Sequence, residues 1–141
     1  MEENKNCLCN SSDVRVVSCS GASNVGQIAN QAAIELAKEK VAGFFCLAGA
    51  GAHIKGMVKS RKEAYLIISM DGCPVQCAAK TVQHADIEPA IQIIVTDLWI
   101  EKSYDIALDE NICSRVVDKA KRKWLHKFPR NSNYISRVLE S

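Results

Sequence analysis

The stretch Ala64-Tyr-Leu-Ile-Ile-Ser-Met70-Asp-Gly-Cys-Pro-Val-Gln-Cys77 decides the reading of the fold. Ala64 to Met70 is a nearly unbroken apolar run, without the alternation of a half-exposed strand. Such a run suits a strand buried on both faces, as in a parallel sheet covered by helices. Asp71-Gly72 breaks the strand, and Pro74 is expected to open a helix running to about Ala85.

Upstream, Val14–Ser18 is β-branched and reads as the first strand. The small residues Cys19 to Asn24 form a turn. Val25, Ile28, Ala29, Ala32, Leu36 and Ala37 then follow a helical period that ends near Lys40. Ala42–Cys46 reads as a second strand, Ala48–Ala52 as a small-residue loop and Ile54–Lys62 as a weaker helix. Downstream, Ile91–Thr96 is a fourth strand. Ile112, Val116, Val117, Ala120, Trp124 and Leu125 share one face of a last long helix, which Pro129 stops. The connection 98–110 has room for a further short element. Four strand–helix alternations imply an α/β fold: a three-layer sandwich around a mostly parallel sheet of about four strands, Rossmann-like or flavodoxin-like. Residues 1–12 read as a flexible lead-in, 13–130 as one domain and 131–141 as a C-terminal tail.

The chain has 141 residues, enough to bury about two thirds of the unfolded surface in one domain. Its hydrophobic fraction of 48% excludes a disordered protein. A net charge of +2 gives no reason to expect nucleic acid or an acidic membrane as the main partner. The polar start, Met1 to Asn10, lacks the apolar core of a secretion signal, and no apolar run is long enough to span a membrane. The expected setting is therefore a reducing cytoplasm. Seven cysteines there point to metal, thiol chemistry or plain burial rather than to disulfides.

Their positions favour metal. Cys19 follows strand one, Cys46 ends strand two and Cys73 follows strand three, so parallel strands put all three on one carboxyl rim. Ligands bind at that rim in open α/β sheets. Cys77 is expected to join Cys73 as an i, i+4 pair on the helix opened by Pro74. Cys19 and Cys73 are placed beside helix N-termini, whose N–H groups attract negative charge. Four thiolates suit a tetrahedral zinc ion, and also an iron–sulfur cluster, which colour would distinguish. Spacing alone leaves burial open, because Cys73-x3-Cys77 is not the Cys-x2-Cys knuckle of common zinc modules.

Three segments in order, Cys19-Ser-Gly-Ala-Ser-Asn-Val-Gly26, Cys46-Leu-Ala-Gly49 and Met70-Asp-Gly-Cys-Pro-Val-Gln-Cys77, resemble the DGC-domain family, which takes its name from the triplet at Asp71, Gly72 and Cys73. The resemblance covers roughly residues 14 to 100. It implies a zinc site on Cys19, Cys46, Cys73 and Cys77, all present, and supplies no reaction. The expected function is metal binding in a sensing, trafficking or structural role.

The alternative is a thiol- or metal-dependent enzyme acting on a small anion. Ser20, Gly21, Ser23 and Asn24, ahead of a helix N-terminus, are the candidate anion loop, with helix capping by Ser23 and Asn24 as the competing reading. A cysteine after the first strand also looks like the loop of low-molecular-weight phosphotyrosine phosphatases. Those carry an arginine six residues on, where this chain has Val25, so the bidentate anion clamp is missing. Asp71 and Asp97 read either as hydrogen-bonding support for the site or as turn residues. Cys7 and Cys9 read as an exposed pair in the lead-in and Cys113 as structural. His53 is a surface residue or an extra ligand, while His84 and His126 are solvated. Gly49-Ala-Gly51 is a tight turn. The last helix carries Arg115, Lys119, Lys121, Arg122, Lys123, Lys127 and Arg130 on its polar side, a solvated face.

Overall fold

The computed structural model describes residues 14–64 and 66–128. The readings of residues 1–12 and 131–141, of Cys7 and Cys9, and of Pro129 and Arg130 lie outside them. Four strands, β1 (Val14–Ser18), β2 (Gly43–Phe44), β3 (Leu66–Asp71) and β4 (Ile91–Ile94), form one sheet in the order β2-β1-β3-β4. Every pairing is parallel, with Val16 opposite Phe44 and Ile68, and Ile68 opposite Ile91. This is the strand order of flavodoxin-like sheets, and the order in which strands are added reverses at the β1/β3 boundary.

Helices cover both faces. On one lie α1 (Asn24–Lys38) and α5 (Glu110–Lys127), packed on each other. Alternation in the strands sends Val14, Val16, Leu66, Ile68 and Met70 to this side, where they meet Ile28, Leu36, Val116 and Trp124 in the main core. The other face carries α2 (Leu47–Gly51), α3 (Lys55–Lys62) and α4 (Cys77–His84). There Val17 and Ile67 pack against Phe45, Ala50, Ala78, Val82 and Ile87, a smaller cluster.

Local chemistry explains the helix ends. Ser23 has extended backbone and its hydroxyl accepts from Gly26 N–H, capping α1. Asp109 does the same for α5, accepting from the N–H groups of Asn111 and Ile112.

Three sequence expectations need correction. Ala48–Ala52 is not a loop: Leu47–Gly51 is helix α2, whose small residues let it lie close to α4. Pro74 does not open a helix. Gln76 takes a left-handed conformation (φ 57°, ψ 47°) and α4 begins at Cys77. Cys73 is thus outside the helix, in a turn closed by Gln76 N–H to Cys73 C=O, so Cys73 and Cys77 are not an i, i+4 pair. The fourth strand ends at Ile94, and Val95–Leu98 continues as a 3-10 turn that carries the exposed Asp97.

Candidate metal-binding rim

The carboxyl ends of β2, β1 and β3 are neighbours, and each is followed within two residues by a cysteine. Cys19 leaves β1, still held to β3 by its N–H to Met70 C=O at 2.9 Å. Cys46 occupies the N-cap position of α2 and makes no capping bond. Cys73 lies in the turn after β3, and Cys77 is the first residue of α4. Cys46 and Cys77 are exposed, while Cys19 and Cys73 are half-buried.

The Asp-Gly-Cys triplet builds this rim through its backbone. Asp71 is 2% exposed and points to the α4 side. Its carboxylate accepts from Ala78 N–H at 2.6 Å and Ala79 N–H at 3.1 Å, satisfying two donors in the first turn of α4. Asp71 is therefore a remote helix cap that fixes where Cys77 stands. Of its two sequence readings, this is the one in which it satisfies backbone groups. Burial raises its carboxyl above the ordinary range, and the two N–H donors and Lys80 oppose the shift.

Gly72 lies against the start of α1. A Cβ there would stand 2.7 Å from Gly26 N and from the Val25 carbonyl carbon. One on Gly26 would in turn stand 2.8 Å from Gly21 N and O. Three glycines thus let the loop after β1, the start of α1 and the turn after β3 touch backbone to backbone.

The Cys19 sulfur sits in the pocket this contact creates, with Gly21 and Gly72 backbone N–H groups donating to it. Burial pushes its thiol above the ordinary value, outweighing those two donors, and the neighbouring Cys77 and Asp71 push it the same way. Cys19 also packs against the α4-side cluster. Cys73 packs instead against the α1/α5 core and takes a 3.6 Å contact from Lys102 Nζ. The rim therefore divides the thiols, with Cys19 and Cys77 on one side and Cys73 on the other. Among the described residues, no three His, Cys, Asp or Glu side chains are grouped as ligands of one ion.

The candidate anion loop is largely occupied by the protein itself. Ser20 is exposed, Gly21 C=O accepts from Gln27 Nε2, and Ser23 caps α1. Asn24 ties down a distant segment: its Nδ2 donates to Glu101 C=O at 2.8 Å and its Oδ1 accepts from Ser103 N–H at 2.7 Å. Its own N–H donates to Ser103 C=O. This clamp carries Lys102 to the rim. Lys102 had no sequence signal, because only the pairing of residues 77 and more positions apart brings it there. The same segment exposes Trp99, Tyr104, Ile106 and Leu108. Cys113 is buried, as read. His53 and His84 are exposed and face each other, and His126 is exposed on α5.

The profile of the DGC domain family matches residues 15–120, three quarters of the chain and every element of the sheet. The chain belongs to the DGC domain family. The match extends beyond the resembling segments into α5. The chain is also similar to the anaerobic and virulence modulator AnvM of Pseudomonas aeruginosa, at 30% identity over 89 residues, 63% of this chain and 68% of the relative. No solved structure matches the chain. No described helix is long and apolar enough to cross a membrane.

Proposed function

We propose that this DGC-domain protein binds one thiophilic metal ion, zinc in the first instance, through Cys19, Cys46, Cys73 and Cys77. The observation that carries the reading is topological: three adjacent parallel strands each deliver a cysteine to the same rim, and a remote cap holds a fourth at the start of α4. The donor set is chemically apt, since four soft thiolates are the preferred shell of a structural zinc ion. Bringing Cys73 to the Cys19–Cys77 side requires its side chain to turn away from Lys102. Metal binding is then coupled to ordering of the rim and releases thiol protons.

Exposure of Cys46 and Cys77 favours a sensing or trafficking role over a purely structural one, because ligands that face solvent are within reach of competing thiols. A four-thiolate iron–sulfur cluster is the competing occupant. Thiol chemistry on a small anion is a second reading, supported by the Lys102 ammonium beside Cys73.

Elemental analysis of anaerobically purified protein, with thiol counting, tests the proposal. About one zinc per chain is expected. Cys73→Ser and Cys77→Ser should each lose most of it, whereas Cys113→Ser keeps it. Full retention in both rim variants would sink the assignment, and a brown protein containing iron would replace zinc with a cluster.

A further inference from the structure

His53 follows α2 and His84 ends α4, 31 residues apart in sequence. Their imidazoles meet at the surface. His53 Nε2 lies 3.1 Å from His84 Nδ1, with ring centroids 5.1 Å apart and planes crossing at 67°. Both rings are held from the backbone. His53 is in the left-handed region (φ 54°), fixed there by its N–H to Ala50 C=O and by Ile54 N–H to Gly49 C=O. Left-handed backbone is uncommon for residues other than glycine, and histidine is among those that adopt it most readily. The end of α4 is closed by Ala85 N–H to Val82 C=O, and α2 and α4 pack directly on one another.

An exposed pair of imidazoles fixed by separate elements is a pre-formed bidentate ligand. Two nitrogens each roughly 2.0–2.1 Å from one tetrahedral ion stand about 3.3 Å apart. The observed separation is within a small ring rotation of that value.

We propose that His53 and His84 form a second metal site, distinct from the cysteine rim, which takes one borderline divalent transition-metal ion such as nickel, copper or zinc. Imidazole suits these metals, whereas thiolates select softer ones. Water completes the shell, since among the described residues no third protein ligand stands with the pair. Glu63, in the same cleft as His53, is engaged by Lys59. On binding, the ring that donates the present hydrogen bond moves its hydrogen to its other nitrogen, so both facing nitrogens become ligands and no net proton is lost. The site stands seven residues along α4 from Cys77, about 10 Å at helical rise, so one helix carries a thiol ligand at one end and an imidazole at the other.

Titration of the full chain with Ni2+, followed by NMR, tests this. Paramagnetic broadening should strike the His53 and His84 rings and the amides around them at substoichiometric metal, leaving the His126 ring on α5 unaffected. His53→Gln and His84→Gln should each weaken binding at the remaining partner by at least about tenfold. Both positions are exposed, so unchanged amide spectra elsewhere will verify the fold of each variant. Nickel–thiolate absorption in the near ultraviolet reports the rim separately, so failure of either site is read without the other. Equal broadening of all three histidines, or single variants that bind as tightly as the parent chain, would overturn the pair.

Discussion

The two faces of the sheet are built to different standards. The α1/α5 face buries Trp124, Ile28, Leu36, Ile68, Met70 and Ile93 almost completely, under helices of 15 and 18 residues. The opposite face has helices of five and eight residues and a cluster dominated by alanine, with Phe45, Ile67 and Val82 as its larger members. Hydrophobic stabilisation scales with the apolar area removed from water, so the first face carries most of the stability. The second is thin, and its short helices place two thiols at their N-termini. A small-residue face lets the ends of α2 and α4 lie close to the rim and to each other, which a thicker core would prevent.

The largest expected effect tests this division. Trp124→Ala should cost about 3–5 kcal/mol in urea unfolding, whereas Val82→Ala on the thin face should cost about 2 kcal/mol. Equal costs would erase the distinction between the faces. Next comes the seam joining them. Gly72→Ala drives a methyl into the backbone of Val25 and Gly26 and should destabilise by about 1–3 kcal/mol. Hydrogen exchange should show the loss at the start of α1, whose backbone presses on that residue.

A smaller, one-sided effect is expected at the cap. Asp71→Ala should cost about 1–2 kcal/mol and speed amide exchange at Ala78 and Ala79, leaving α5 protected. Loss of protection across α5 would show that the faces unfold as one unit and not as separable layers.

The smallest effect separates a core cysteine from the rim. Burial, followed by Asp109 and Glu35, raises the Cys113 thiol above its ordinary value. The folded state therefore holds this proton more tightly than the unfolded chain. The contribution is fully present below the ordinary thiol value, about 8.5, and is lost as pH rises through the higher folded value. The stability advantage of the parent chain over Cys113→Ala should narrow above that pH. Iodoacetamide at neutral pH should label Cys46 and Cys77 well before Cys113. An advantage independent of pH to the alkaline limit would show that the thiol titrates alike in the folded and unfolded chains.

Elements that bury one continuous stripe or run were legible. The period of Val25 to Ala37, the face from Ile112 to Leu125 and the apolar run to Met70 state their partners' direction by themselves, since a helix or strand must hide that surface. Helix α2 was not legible, because Leu47-Ala-Gly-Ala-Gly51 has no polar face to mark a period. The start of α4 was misplaced because its cap is Asp71, six residues before the helix and across a turn, outside any local capping rule.

Sequence alone determined the fold class, the parallel direction of the sheet and therefore the side on which Cys19, Cys46 and Cys73 emerge. Strand direction is a one-dimensional property, fixed once the crossovers are helical. Only the tertiary structure decided which face of that rim each sulfur takes, that Lys102 stands by Cys73, and that His53 meets His84. Those outcomes depend on how close two backbones can approach, at Gly72 against Gly26 and at α2 against α4, and no spacing along the chain encodes that distance.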